Sequence, residues 1–519
     1  MYQALLTRRY LTSKVMPLLA SLGVMLCVAM VLIVWSVMGG FLNTLLSSGR
    51  TMTGDVIIAW PNVGFAHYQD LMKRLEADPM VQATTPTIES YAMVTTPAER
   101  TELVSIRGID GPSFARVTQY PETLWWKFIK SPTKKQEAGE DVRAFKLSEE
   151  KWNRIYEAGL SLSRENAFGE KAPALVPGIH VTNLNRRTEF GTYEPKVAWV
   201  LRPDGKVEDI DTFLPVNGTL MVTVLPLDSQ GQITEPQSQR FPVANEFMSG
   251  VFEVDNKTVL LRLDALQSML HMDEARRAVT GPDAIVTENP DGTESFNTPT
   301  QYVTDPARVT HVLVRGKGDL GKLGAATALR IRCEEIYAEF AQVHAGEVPL
   351  PMDISIMTWE DLNRTMIAAV QKETALVLFI FGIICLVSVF LVVAIFWAMV
   401  SEKTKDIGVL RSIGASRAGI AWLWIRYGLA IGLCGSTFGI AIASLIVHYI
   451  NPIHEQLGKQ LGLVIWDPRI YYFNEIPNGI DLPKAIIVFV AGVLSCGVGA
   501  VIPALRAAYL DPVQALRFE

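Results

Sequence analysis

"MVSEKTKDIGVLRSIGASRAG", Met399 to Gly419, sets six charged side chains between two long apolar runs. The run before it, Thr374 to Ser401, is free of charge, and so is the run after it, Tyr427 to Tyr449. Two more such runs, Val15 to Gly49 and Ala485 to Leu505, make four in all. Each is long enough to cross a hydrocarbon core, which takes roughly 20 helical residues. The stretch is therefore a polar connection between the second and third of four predicted membrane helices.

Between the first and second helices lies a polar block, Thr51 to Glu373, of about 320 residues, the size of two ordinary domains. The pattern predicts an α-helical membrane protein with four transmembrane helices and a large α+β extracytoplasmic domain between the first and second. Arg8, Arg9 and Lys14 ahead of the first run resemble the basic start of a signal peptide. The apolar part exceeds the 7 to 15 or so residues of such a peptide, and Leu26 stands where a lipoprotein signal needs a small residue before Cys27. An uncleaved anchor helix is the expectation.

Lysine and arginine in short connections set orientation. Arg8, Arg9 and Lys14, then Lys403, Lys405, Arg411 and Arg417, then Arg506 and Arg517 all lie on one side of the four spans. On the other side, the loop Asn451 to Pro483 offers Lys459 and Arg469 against Glu455, Asp467, Glu475 and Asp481. Both termini and the island are expected in the cytoplasm and the large block outside, in the periplasm of a bacterial inner-membrane protein. The expected segments are 1–14 cytoplasmic, 15–49 first helix with stalk, 50–357 outer domain and 358–400 stalk with second helix. Then follow 401–417 as a surface helix, 418–450 as the third span, 451–483 as outer loop, 484–508 as the fourth span and 509–519 as a C-terminal helix.

Local signals support these divisions. In "TWEDLNRTMIAAVQKETALV", Thr358 is a cap, Glu360 and Asp361 suit a first turn, and no glycine or proline occurs from Trp359 through Ile380. One helix from Trp359 to Val400 is expected. Ile407 and Leu410, and Val409 and Ile413, recur at helical spacing in the island; Gly414 reads as its stop and Ser416 as a new cap. "DPVQ" places Asp511 as a cap with Pro512 at the first helical position. In the outer block "GDVIIAW" (Gly54 to Trp60) reads as a strand and "FAHYQDLMKRLEADP" (Phe65 to Pro79) as a helix carrying Leu71, Met72 and Leu75. "ELVSIRGID" and "THVLVRGKGD" read as strands ending in glycine turns. Insertions are expected at the charged, helical segment Ser131 to Glu170 and at a polar loop, Thr287 to Gln301.

Several chemistries find little support. A net charge of −6 with no basic stripe argues against nucleic acid. Of five cysteines, Cys333 alone lies in the outer block, so no disulfide forms within it. "GKGDLGKL", Gly316 to Leu323, has phosphate-loop spacing but Leu323 where magnesium needs Ser or Thr, and it reads as a turn. The seven histidines, His67, His180, His271, His311, His344, His448 and His454, show no metal-ligand spacing. No catalytic nucleophile, cofactor or metal is expected in this chain. Arg426 is expected to snorkel to the cytoplasmic surface, and Ser21, Gly23, Ser36, Gly39 and Gly40 give the first helix small-residue surface for packing.

"SEKTKDIGVLRSIGAS" resembles the cytoplasmic signature of FtsX/MacB-type (type VII) ABC transporter permeases, and "PALRAAYLDPVQALRFE" (Pro503 to Glu519) resembles their closing motif. "WDPRIYYFNEIP" (Trp466 to Pro477), the stalk from Ile356, and "ALLTRRYLTSK" near the amino end are most like the lipoprotein-releasing LolC/LolE branch. The chain is longer than that branch's usual members, and the surplus is placed at Pro112 to Glu170 and later loops.

The resemblance implies a non-catalytic permease subunit that extracts lipoproteins by mechanotransmission toward a periplasmic carrier. The alternatives are an FtsX-like regulator of a periplasmic partner and a MacB-like efflux permease. It implies LolD-like ATPase subunits holding ATP and magnesium, a second permease copy or paralogue, lipoprotein cargo, a LolA-like carrier and membrane lipids as partners. The island would be the coupling helix, with Ile407, Leu410 and Ile413 buried in an ATPase groove, Glu402, Lys403, Asp406 and Arg411 at its rim, and Gly408 and Gly414 allowing close approach. Met16, Leu18, Leu22, Met25 and Trp35 would line a lipid cavity.

Overall fold

A computed structural model describes residues 15–96, 100–129, 147–165, 169–187, 193–201, 207–211, 213–227, 232, 234–280, 285–288, 294–297, 300–318, 320–461 and 476–516. The "ALLTRRYLTSK" segment, most of "WDPRIYYFNEIP" and Arg517 lie outside these residues. The chain divides into two compact units, one formed by residues up to Leu45 and from Thr365 onward, the other by Leu46–Arg364.

The membrane unit contains four helices long and apolar enough to span a bilayer, at Leu18–Leu42, Arg364–Glu402, Arg417–His448 and Leu482–Tyr509. The third is glycine-rich, and its glycines sit where neighbouring helices approach. A Cβ on Gly428 would lie 2.6 Å from that of Ala500, and one on Gly432 2.9 Å from that of Cys496. Gly435 and Gly439 meet the backbone carbonyls of Ser21 and Met25 at 2.9 and 2.8 Å in the same sense. Small residues recurring at three- and four-residue spacing thus let the third helix pack closely on both the fourth and the first, where dispersion replaces the hydrophobic drive absent in lipid. Gly23 does the same against Leu391 and Gly40 against Pro477, so these glycines serve packing as expected. Phe396, Trp424 and Tyr427 form an aromatic trio with centroids 5.6 to 6.2 Å apart. Arg426 is exposed. The connection after the third span holds a further helix, Ile450–Leu461.

The outer unit is built on a nine-stranded sheet. Its strands are β1 (Val56–Ala59), β2 (Val81–Thr95), β3 (Thr101–Ile109), β4 (Leu175–Pro177), β5 (Thr219–Val224), β6 (Gln237–Pro242), β7 (Thr258–Arg262), β8 (His311–Gly316) and β9 (Ser355–Thr358). The order is β9-β1-β8-β2-β3-β7-β4, with β5 on β2 and β6 on β5; β3 and β7 run parallel and the other pairs antiparallel.

Strand β1 explains why "VIIA" is apolar without alternation. Val56 and Ile58 join one core with the helices Tyr68–Glu76 and Thr327–Val343, while Ile57 and Ala59 join another with Phe114, Val117 and Tyr120. Successive side chains point to opposite faces, and both faces are covered. Leu71 and Leu75 are fully buried in the Tyr68–Glu76 helix, as its periodicity requires.

Three expectations are corrected. Gly108 does not end a strand: it lies within β3, where a Cβ would sit 2.9 Å from a methyl of Leu266, so glycine is there to admit the Leu263–Met269 helix. Thr287 to Gln301 is not a plain loop. Strands Ala275–Thr280 and Thr300–Asp305 pair with each other, and Ile285–Glu288 pairs with Glu294–Asn297 between them, so backbone ladder bonds organise much of the segment. The helix expected from Trp359 to Val400 breaks at Asn363, whose side-chain amide donates to the Trp359 carbonyl at 2.8 Å; a short helix ends at Leu362 and a 39-residue one begins at Arg364. The Ser131 to Glu170 segment contains a helix, Glu149–Ser161, capped by Ser148, with residues 130–146 and 166–168 outside the description.

Candidate functional site

The polar island folds as a helix, Thr404–Ser412, closed by a tight reversal. Gly414 N–H donates to the Arg411 carbonyl (3.1 Å) and Ala415 N–H to that of Leu410 (3.0 Å), the paired bonds of a Schellman stop. Gly414 has φ +101°, a conformation that disfavours any side chain. Ser416 then accepts from Gly419 N–H at 3.1 Å and starts the third span. The reversal occupies few residues because each end is satisfied locally.

Its faces are not divided as the periodicity alone implies. Ile407 is 3% exposed and packs in the membrane unit's own core, and Gly408 is buried as well. Ile407 is therefore corrected as an open docking residue, because its face is already covered within the chain. Leu410 and Arg411 are half-buried. The apolar side chains left open are Ile413, 80% exposed, and Val409. Around them Glu402, Asp406 and Gly414 are exposed and Lys403 is half-buried, its Nζ 2.9 Å from Asp406 Oδ2.

The C-terminal helix Pro512–Leu516 packs against the island helix, with Ala515 buried. Asp511 Oδ1 accepts from Val513 N–H at 2.8 Å, so the aspartate acts as the expected cap. Two cations hold the neighbouring helix ends: the Arg506 guanidinium lies 3.9 Å from the Trp397 ring and that of Arg417 5.2 Å from Tyr509. The island helix, the reversal and the C-terminal helix make one small polar platform.

The proposed lipid-cavity residues are not gathered on one face. Leu18 and Leu22 are exposed and Met25 is half-buried, whereas Trp35 packs against the helix core with its ring 6.0 Å from Lys484 Nζ. The Met16 side chain lies outside the description.

Within the outer unit, one buried carboxylate gathers the residues where the chain enters and leaves. Asp55 is fully buried; its Oδ1 takes bonds from Arg50 Nε (3.1 Å) and Nη2 (2.6 Å), and its Oδ2 accepts from Gly316 N–H (3.0 Å), with Arg315 Nε 3.6 Å away. Its backbone carbonyl accepts from Trp359 N–H at 3.1 Å, and the Arg50 guanidinium lies 6.0 Å from the Trp359 ring. Immediately beside Trp359, Thr358 and Asp361 exchange both bonds of a capping box. Arg50 at the end of the first long helix and Trp359 at the start of the exit helix are thus fastened to one acid.

A second buried acid, Glu246, accepts from Trp126 Nε1 (2.7 Å) and Asn185 Nδ2 (2.8 Å), with no cation on it among the described residues. Burial pushes its carboxyl up to about 7 against these two bonds. Asp255, held by Ser249 and Gly250, is raised by burial to about 6.

The sequence also concealed a cluster. His67 and His344 stack at 4.2 Å with Glu347 beside them, though the histidines lie far apart in the chain.

Four apolar helices with a mixed α/β unit between the first and second and a helical polar reversal between the second and third are similar to the arrangement of ABC transporter permeases of the LolC, LolE, MacB and FtsX type. Residues 378–512 match the family described as FtsX-like permease C-terminal. The lipoprotein-releasing system transmembrane protein LolC of Xylella fastidiosa (strain 9a5c) is 19% identical over 367 residues, spanning 67% of this chain and 76% of that one. The macrolide export ATP-binding/permease protein MacB of Syntrophobacter fumaroxidans is 25% identical over 259 residues, 49% of this chain and 31% of its own length. Among solved structures, the periplasmic region of MacB from Actinobacillus actinomycetemcomitans aligns with a TM-score of 0.26 and 8% identity over 61% of this chain and 94% of that one.

Proposed function

We propose that this chain is the permease subunit of an inner-membrane ABC transporter that extracts lipoproteins toward a periplasmic carrier. It works by passing motion from separate ATPase subunits to the outer unit. The supporting observation is the likeness to LolC along two thirds of the chain. Both termini and the platform face the cytoplasm in this reading, and Val409 and Ile413 are the apolar contacts offered to the ATPase, ringed by Glu402, Lys403, Asp406 and Arg411. ATP and magnesium are held by that partner. A second permease copy or paralogue completes the assembly. The partial likeness to MacB favours efflux as the second reading.

The test is reconstitution of the chain with its co-purifying ATPase in vesicles loaded with a lipoprotein, and measurement of lipoprotein released into a periplasmic extract. ATP-dependent release, lost with Ile413→Glu while the protein still inserts, is the expected result. A charge at that position has to be desolvated in an apolar groove. ATP hydrolysis with full coupling and no release would reject lipoprotein extraction.

A further inference from the structure

We propose that His67, His344 and Glu347 form a binding site for a divalent transition-metal ion, with zinc as the ion the donor set suits. The three offer two imidazole nitrogens and one carboxylate oxygen, all within 4.8 Å of one another. Two nitrogens and one oxygen with a fourth position left to water is a donor set that zinc accepts.

Two separate pieces of backbone build the cluster. His67 precedes the Tyr68–Glu76 helix in a left-handed conformation, φ 58°, a region that histidine, asparagine and aspartate enter more readily than other side chains. His344 caps the far end of the Thr327–Val343 helix, its N–H donating to the Phe340 carbonyl at 3.1 Å. Gly346, at φ +86°, then turns the chain so that Glu347 returns beside it, with Glu347 N–H donating to the His344 carbonyl at 3.0 Å. Left-handed backbone at a histidine is strain of the kind that persists at working sites.

The three side chains already make polar contacts with one another or with Asp70. His67 Nε2 lies 2.5 Å from Glu347 Oε2, and His344 Nε2 lies 3.1 Å from Asp70 Oδ2, which also takes a bond from Arg74 Nε at 2.9 Å. The rings are stacked, 15° from parallel, with Phe340 against His344 at 4.9 Å. Ligands 2.0 to 2.1 Å or so from a tetrahedral ion stand about 3.4 Å apart. The ion thus has to enter between His67 and Glu347 and draw His344 Nε2 off Asp70, tilting the rings out of their stack. Both imidazoles are partly open to solvent, and Glu347 is 65% exposed, so the movement displaces side chains and leaves the core intact. Neutral imidazoles supply the lone pairs, and their remaining protons lie on Nδ1. The bound ion would tie the start of one helix to the end of another across the same sheet face.

The test uses the full, untagged chain in detergent micelles, dialysed against zinc alone and, separately, against cobalt, whose visible spectrum reports tetrahedral nitrogen and oxygen ligation. One zinc per chain is expected, with affinity reduced at least about tenfold by His67→Gln or His344→Gln. Glu347→Gln, at a largely exposed position that packing does not need, should weaken binding as well and change the cobalt spectrum. Zinc retained undiminished by these variants, or no zinc taken up at micromolar concentration, would overturn the assignment and leave the cluster as two histidine–carboxylate pairs.

Discussion

Raising the pH from about 5 to about 8 should weaken the outer unit through Glu246, and the sign follows from its surroundings. Its carboxyl stands at about 7 in the fold because burial disfavours the charge, against an ordinary value near 4.5. Between those two values the folded chain holds a proton that the unfolded chain has released. The stabilisation is complete below about pH 4.5 and is lost as pH rises through 7, and 2.5 or so pKa units correspond to about 3 kcal/mol at most.

Other groups titrate in the same window, so the effect is isolated by difference. Asp255, raised to about 6, acts in the same direction. His311, lowered by burial, acts in the opposite one, costing stability as pH falls. Urea unfolding of the full chain in micelles, followed by hydrogen exchange in peptides holding Trp126 and Glu246, should show a wild-type slope that Glu246→Gln flattens by about 3 kcal/mol between the two pH values. An amide there opposes one of the donors Trp126 or Asn185 and costs stability at every pH, which leaves the difference in slope untouched. Equal slopes in the two proteins would refute a proton held on Glu246.

Removing the Asp55 carboxylate should cost about 3 to 5 kcal/mol, because Arg50 and the Gly316 amide lose their buried partner. Hydrogen exchange at Gly316 and Trp359 in Asp55→Ala reads the loss, and unchanged protection at both would count against the junction. Gly432→Leu should destabilise the membrane unit by about 1 to 3 kcal/mol or more, since its Cβ meets that of Cys496 at 2.9 Å and the Val493 backbone at 3.1 Å. Its thermal midpoint in detergent, set beside that of the exposed control Gly479→Ala, checks this, and equal midpoints would show that the third and fourth helices pack less closely.

The features legible in the sequence are those encoded by neighbouring residues. Four charge-free runs became four long helices, and Thr358, Gly414, Ser416 and Asp511 act where their side chains or φ freedom predicted. Helical periodicity found an apolar stripe around Ile407 but could not tell that the chain's own helices cover it. A glycine in a strand run was read as punctuation because the sequence does not show Leu266 approaching Gly108. The ribbon within 275–305 was hidden because its strands of four to six residues are short and alternate with turn-forming stretches such as "NPDG", which dominate the local reading. The His67 and His344 pair is the extreme case. Only the packing of two helices brings them together, and the one local hint was a histidine between a short apolar run and a helix start.

The register of β1 constrains when the outer unit can finish folding. Val56 pairs with Val314 on one side and with Thr358 on the other. Neither partner exists until most of the unit has been synthesised, and closing such long loops is slow. The last strand ends at Thr358, and the second long helix begins at Arg364. While the chain is being made, the Val56–Ala59 edge therefore stays unpaired until the segment just ahead of the second long helix has been synthesised. Synthesis of β9 and completion of the sheet become a single late event, and a ribosome stalled before residue 358 would leave an aggregation-prone strand edge open.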